Sequence, residues 1–370
     1  MKIIQIIQII IKIFNYNIIY LYIMINENKI WLNQCKKFKK LPHILPKTSR
    51  IIAIGDLHGN LKDTIKILLK AKIIDKKFNW IANPCNTIVV QVGDQLDSCR
   101  PSKTNKCGLY DNTKKKLTGD LALFKFFYNI NKKAEEKGGK VISLLGNHEI
   151  MNVIGDFRYL SKNDIEYLNK FNILNKNIKL SKLELYDLRK LLFKRGNYFS
   201  KFMACTRQSA IIIGSNLFIH AGILPDLAKK YKINDINTLV RAWLLDILNN
   251  DNNNKNIGNL KDILFNGNIS PFWNRILGTI PKNIMLEDEQ CKDYIEPILN
   301  LWGIDSMIIG HTPTQVFGNN MNSTCNNKLW RIDVGISQNL HNKTNIQFLE
   351  IINDNKFNIY EIKNNECIKI

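Results

Sequence analysis

Val141-Ile142-Ser143-Leu144-Leu145-Gly146-Asn147-His148-Glu149 runs from five apolar or small residues straight into a glycine, an amide, an imidazole and a carboxylate. A short apolar run bounded by glycine reads as a buried strand, and Asn, His and Glu crowded at its end serve no packing purpose. The pattern recurs. Ile51 to Ile54 leads into Gly55-Asp56-Leu57-His58-Gly59-Asn60, and Thr87 to Val92 into Gly93-Asp94-Gln95-Leu96-Asp97. Leu217 to Ile219 leads into His220-Ala221-Gly222, and Met307 to Ile309 into Gly310-His311-Thr312. Between these runs lie longer amphipathic stretches, so the chain reads as an α/β or α+β sheet protein. In open α/β sheets ligands bind beyond the carboxyl ends of strands. Five such ends would gather side chains far apart in sequence.

Four of the six histidines, His58, His148, His220 and His311, fall in these motifs, leaving His43 and His341 outside any pattern. Phosphoester hydrolysis needs a nucleophile at neutral pH, charge neutralisation on the phosphoryl oxygens and a proton for the leaving alkoxide. Two metals ~3.5–4 Å apart meet the first two needs, bridged by a carboxylate and an activated water. Asp94 is the natural bridge. Asp56 and His58 would hold one metal, and Asn147, His220 and His311 the other. Mixed carboxylate, amide and imidazole ligation suits Mn, Fe or Zn better than Mg. His148, directly after a ligand, should face the substrate as general acid, with Asp97 orienting its ring.

The 370 residues are 45% hydrophobic, enough for a substantial core. A formal charge of +21 would ordinarily point to nucleic acid, anionic membrane or an acidic substrate. Lysine, asparagine and isoleucine are abundant throughout, however, so the charge reads mainly as a compositional bias. The eight cysteines form no C-x-x-C pair and are too sparse for a disulfide framework. Reduced thiols are expected, with a reversible Cys99–Cys107 disulfide as the one alternative.

Residues 1–46 read as an apolar leader or anchor followed by a linker-like Leu41 to Pro46, and 47–370 as the catalytic domain. Met1 to Asn26 is broken by Gln5, Gln8, Lys12, Asn15 and Asn17, a marginal match to the roughly 20 apolar residues of a span. If it spans a membrane, Lys36, Lys37, Lys39 and Lys40 outweigh Lys2 and keep the rest cytoplasmic. An insert at about 155–205, helical in period over Leu180 to Phe193, is expected to cap or rim the site. The Asn-rich Asn249 to Asn259 reads as a loop. Leu329 to Val334, Ile346 to Ile352 and Phe357 to Ile362 read as strands closing a second sheet.

The order D-x-H-G, G-D-x-x-D, G-N-H-E, H-A-G, G-H-T resembles the calcineurin-like metallophosphoesterase superfamily and its PPP-type protein phosphatases. Gly146 to Asn152 continuing into Gly155-Asp156-Phe157-Arg158-Tyr159, with Pro271-Phe272-Trp273-Asn274-Arg275, is similar to the Shewanella-like branch. The likeness covers about Arg50 to Ile352. It implies a two-sheet β-sandwich flanked by helices, a four-layer αββα fold. It also implies a dinuclear metal centre and phosphomonoester hydrolysis without a phosphoenzyme, on a phosphorylated protein or small phosphate ester. Arg275 would then bind the substrate phosphate, with Asn147 assisting. One departure stands out: the family's Gly-Asp-x-x-Asp-Arg-Gly is replaced by Gly93-Asp94-Gln95-Leu96-Asp97-Ser98-Cys99-Arg100, moving the phosphate-gripping arginine two positions. Arg100 could still reach inward if the loop bulges; otherwise Arg158, Arg241 or Arg275 must serve. Two rivals share these motifs: a diadenosine polyphosphate or nucleic-acid phosphodiesterase, and a non-catalytic binding protein that kept the fold.

Overall fold

The computed structural model describes residues 28, 30–101, 106–108, 118–170, 180–248, 255–314, 318, 320–336 and 346–370, with side chains of 255–259 left aside. Residues 1–26, where the sequence places a membrane contact, and His341 lie outside the described residues. Among the described residues no helix is long and apolar enough to cross a membrane.

Two mixed sheets face one another. The strands are β1 (Ile44–Leu45), β2 (Arg50–Ile54), β3 (Ile88–Gln91), β4 (Lys140–Leu144), β5 (Arg207–Gln208), β6 (Ala210–Ile213), β7 (Asn216–Ile219), β8 (Ser306–Ile309), β9 (Asn322–Thr324), β10 (Leu329–Arg331), β11 (Gln347–Ile352), β12 (Lys356–Lys363) and β13 (Glu366–Lys369). The six-stranded sheet runs β1-β6-β7-β8-β10-β9 and the seven-stranded sheet β13-β12-β11-β2-β3-β4-β5. All five expected strands are present, as β2, β3, β4, β7 and β8, and each ends at its motif.

Strand periodicity explains the layering. In β6, Ile211 and Ile213 join the core between the sheets, while Ala210 and Ile212 join the core under the helices. Phe218 in β7 and Ile308 in β8 likewise face the other sheet, while Leu217, Ile219, Met307 and Ile309 face the helices. Side chains of alternate residues point to opposite faces, so strands apolar at every position must be covered on both sides. On the outer face of the seven-stranded sheet, α1 (Leu61–Lys70) contributes Ile67 and Leu68 and α2 (Leu121–Glu136) contributes Phe127 and Ile130. The fold is the helix-flanked two-sheet α/β architecture that the motifs imply.

Several expectations change. Leu41 to Pro46 is not a bare linker: β1 pairs in parallel with β6, Ile44 opposite Ile212 and Leu45 opposite Ile213. His43 is buried beside it, its Nδ1 3.0 Å from Asn237 Nδ2. Of the three strands expected near the end of the chain, Leu329 to Val334 forms β10, which joins the six-stranded sheet parallel to β8, while β11 and β12, followed by β13, extend the other sheet beside β2. The Asn-rich stretch gives way to a helix at Lys255–Phe265; Asn249 to Asn254 lie outside the described residues. The insert is helical, including α3 (Asn147–Ile154) leading into it, Lys162–Glu166, α4 (Lys182–Phe193) and α5 (Tyr198–Thr206). Residues 171–179 of the insert are outside the described set.

The cysteines correct the reduced-thiol expectation most directly. Cys35 pairs with Cys205, Cys99 with Cys107 and Cys291 with Cys325, leaving Cys85 and Cys367 free and exposed. Spacing along the chain could not show this, because the first pair is 170 residues apart. Closing so long a loop restricts the unfolded chain, and a native disulfide of this kind stabilises by about 2–4 kcal/mol. Cys35→Ser is therefore expected to lower the unfolding free energy from denaturant titration by that amount under oxidising conditions, with a lower midpoint; an unchanged midpoint would contradict the pairing.

Candidate metal centre

The five motifs are laced together through their backbones. Leu57 and His58 donate to the Asp94 carbonyl at 3.1 and 2.9 Å, and Gly59 to that of Gln95 at 2.9 Å. Glu149 binds the second motif to the third: its carboxylate accepts the N–H groups of Asp94, Gln95, Leu96 and Gly146 at 2.9, 2.9, 3.2 and 2.7 Å. Gly310 donates to the His220 carbonyl at 2.8 Å, and the His311 N–H to the Asp56 carboxylate at 3.1 Å. His58, Asp94, Asp97 and His311 all have left-handed backbone, with φ of 43°, 57°, 66° and 65°. Non-glycine residues avoid that region unless the surrounding structure imposes it, and such strain gathers at functional sites.

Glycine is needed where the motifs touch. A Cβ on Gly310 would collide with the Asp56 carboxylate, and one on Gly146 with that of Asp94. Gly310→Ala should displace Asp56 and lower turnover about 10- to 100-fold, the range for a disturbed ligand surround. Turnover within twofold of wild type would show that Asp56 tolerates displacement.

Two donor groups share one residue. Ligand atoms of His58, Asp94 and His148 lie within 4.8 Å of one another, as do those of Asp94, His220 and His311, and every member is buried. Asp94 is thus placed between two groups, as a bridge requires. Asn147 Oδ1 adds to the second group, 2.9 Å from His220 Nε2 and 3.0 Å from His311 Nδ1.

The hydrogen-bond partners of the rings show what this donor set fits. His58 Nδ1, His220 Nδ1 and His311 Nε2 each face a backbone carbonyl, of Leu96, Val92 and Trp273, at 3.1, 2.9 and 3.0 Å. Each must donate there, so the other nitrogen of a neutral ring carries a lone pair. Those lone pairs converge on Asn147 Oδ1 and the Asp94 carboxylate, acceptor against acceptor. Burial lowers all three imidazoles below their ordinary value, His220 to about 4, which keeps them neutral. Burial first, then mutual repulsion with Asp333 and Asp94, holds the Asp56 carboxyl well above its usual range. Neutral imidazoles fixed by carbonyls and clustered buried carboxylates match divalent cation ligation.

Asp333 escaped the sequence reading. It follows β10, is buried, and its carboxyl contacts Asp56 while accepting the Gly335 N–H at 2.9 Å. Its signal was present but faint: Leu329 to Val334 reads as one strand, so an acid near its end looked like part of the strand. Glu149 was seen within its motif but not as a hub.

His148 Nδ1 lies 2.6 Å from Asp97 Oδ2, leaving Nε2 turned inward, 3.8 Å from Asp94 Oδ2. Behind Asp97 stands a buried relay. Asn152 Nδ2 donates to Asp97 Oδ1 at 2.9 Å, Arg189 donates to Asn152 Oδ1 at 2.8 Å, and the Arg189 guanidinium pairs with Asp120 at 2.7 Å. Asp120 in turn accepts the Asp97 N–H at 3.0 Å. Helix α4 of the insert supplies Arg189, so the insert buttresses the pair from behind. Burial pushes Asp97 up to about 7 and His148 down to about 4. Separate charges are therefore costly, and the close contact makes the pair one protonic unit.

Of the candidate arginines, two stand near the site. Arg100 donates to the carbonyls of Asp97 and Cys99 at 3.1 and 2.8 Å and lies 5.8 Å above the Tyr159 ring, which is 5.0 Å from the His148 ring. Its charge depresses His58 and His148 and lowers Asp56, Asp94 and Asp333. Arg275, exposed on the other flank, donates to the His311 carbonyl at 2.9 Å and acts on His220, His311 and Asp333. Arg158 instead pairs with Asp156 in solvent, and Arg241 is buried against Ala204 and Gln208.

The chain belongs to the calcineurin-like phosphoesterase family, whose model matches residues 49–315. It is a phosphoric ester hydrolase of the metallophosphoesterase class, with relatives named Shewanella-like protein phosphatases. It is 28% identical over 321 residues to Shewanella-like protein phosphatase 2 of Arabidopsis thaliana, covering 79% of this chain and 72% of that protein. An uncharacterised protein of Acanthamoeba polyphaga mimivirus is 39% identical over 260 residues, 65% of this chain and 99% of that one. Among solved structures, a cold-active protein-tyrosine phosphatase of a psychrophilic Shewanella species shares the fold, with a TM-score of 0.59, 21% identity and coverage of 90% and 83%.

Proposed function

We propose that this chain is a metal-dependent phosphomonoesterase acting on phosphoproteins, with residues 47–370 as its catalytic unit. The observation that carries the reading is Asp94, shared by two buried donor groups and faced by the free nitrogen of a carboxylate-held histidine. Asp56, His58 and Asp94 would hold one divalent cation, and Asp94, Asn147, His220 and His311 the other. Such cations, with Mn, Fe or Zn suited to these donors, supply charge neutralisation and an activated water.

The chain's own residues do the rest. Asp97 fixes the His148 ring with Nε2 inward, so that a proton on that nitrogen can pass to the leaving alkoxide. The Arg189–Asn152–Asp97 relay keeps this orientation. Arg100 and Arg275, on opposite flanks, would neutralise phosphate oxygens, Arg275 as the family likeness suggests and Arg100 from its displaced position. The name of the Arabidopsis relative supports a phosphoprotein substrate.

Metal-reconstituted protein should hydrolyse p-nitrophenyl phosphate and at least one of phosphoserine, phosphothreonine or phosphotyrosine peptides. It should leave bis-p-nitrophenyl phosphate and dinucleoside polyphosphates intact; cleavage of the diesters alone would replace this reading with a phosphodiesterase.

A further inference from the structure

A second charged recess lies apart from the metal centre, along the edge of β4. It has a volume of about 270 Å³ and is lined by Lys37, Lys39, Lys40, Lys132, Lys140 and Arg207, with Glu135 as its one acidic residue. Phe124, Phe127 and Phe202 give it apolar walls. None of these residues belongs to the five motifs.

Arg207 is the telling member. It is 5% exposed, its guanidinium is 3.8 Å from the Phe124 ring centroid, and its Nε has no hydrogen-bond partner. Its remaining bonds go to neutral oxygens, Thr206 Oγ1 at 3.0 Å and Gln95 Oε1 at 2.7 Å. No ion pair satisfies it among the described residues. The buried Glu149 carboxylate offsets its charge without an ion-pair contact, while burial still disfavours the charged form, and five lysines beside it deepen the positive potential.

We propose that this recess binds a small organic anion, a carboxylate or phosphate carried on an aromatic or acyl body. The head would sit among the lysines and Arg207 and the body against the phenylalanine walls, the usual division of a small-molecule site into apolar lining and a few polar anchors. The occupant would also be felt at the metal centre. Gln95 lies next to Asp94, its N–H is held by Glu149, and its Nε2 donates to Gln91 and Ser143 at 2.9 Å. An anion drawing on Arg207 loosens the one contact that ties Gln95 to β5, and so tunes turnover. That second part rests on the proposed phosphatase reading; the binding itself does not.

The test is calorimetric titration of the full chain with 1-naphthoate, an aromatic carboxylate, alongside inorganic phosphate as a head without a body. One saturable site per chain is expected, with phosphate alone weaker. Lys132→Glu with Lys140→Glu should weaken binding by about tenfold or more, and the Gln pair by less, both at an unchanged unfolding temperature. Saturating ligand should change kcat for p-nitrophenyl phosphate in the wild type and not in the charge-reversed variant. Absent saturable binding, equal affinity in the variants, or binding of polyglutamate but not 1-naphthoate would overturn the site. Binding without any effect on kcat would overturn the coupling. If p-nitrophenyl phosphate is not hydrolysed at all, the phosphatase reading fails while the titration still decides the site.

Discussion

His148→Asn is expected to cut kcat for a phosphoserine peptide by about 10²–10⁴-fold, the usual worth of a positioned general acid, while metal content stays at the wild-type level. The reasoning follows from which ring nitrogen is engaged. Nδ1 is committed to Asp97 at 2.6 Å, so only Nε2 faces the donor groups. Asparagine fits the space and keeps a hydrogen bond to Asp97 but holds no titratable proton. The histidine also falls geometrically within one donor group, and the experiment separates the two roles. Unchanged turnover would sink the acid assignment, whereas loss of one metal equivalent would make His148 a ligand. A leaving group of low pKa needs little protonation. The deficit should therefore shrink for p-nitrophenyl phosphate relative to a phosphoserine peptide, a pattern that mere misfolding would not give.

Asp94→Asn should have the larger effect. Removing the carboxylate shared by both donor groups is expected to lower turnover about a thousandfold or more, several kcal/mol of lost charge stabilisation, and to reduce bound metal below one equivalent. Stability should move the other way. Burial is the main cause raising the Asp94 carboxyl, and Asp333 adds repulsion; Asp94 likewise raises Asp56 and Glu149. In metal-free protein the amide removes a buried charge that is poorly compensated. Metal-free Asp94→Asn should thus unfold at or above the temperature of metal-free wild type. Lower stability together with full metal occupancy would refute the placement of Asp94 between the groups.

How much of this was legible in the sequence depended on distance along the chain. Strand-end motifs were readable because apolar runs and the glycines that follow them are local signals, and β2, β3, β4, β7 and β8 appear where those signals stand. The order of motifs pointed to Asp56, His58, Asp94, Asn147, His220 and His311 as ligands, and their side chains stand close together in the fold. What stayed hidden is what only the fold brings into contact. Asp333 reaches Asp56 because β10 lies parallel to β8, a pairing without local trace. Arg189 reaches Asp120 across 69 residues, and Cys35 reaches Cys205 across 170. The displaced Arg100 shows the mixed case. Its identity was visible, but its place above Tyr159 depends on the Cys99–Cys107 link and on the insert that carries the tyrosine.

Two cations held around Asp94 would make this chain a phosphomonoesterase. Metal analysis by inductively coupled plasma mass spectrometry, run in parallel with p-nitrophenyl phosphate turnover during chelation and re-addition of Mn, Fe or Zn, tests it most directly. Two equivalents per chain in the active protein, with activity lost and regained as they leave and return, is the predicted result. Full turnover from protein stripped of metal, or saturation of activity at a single equivalent, would contradict it.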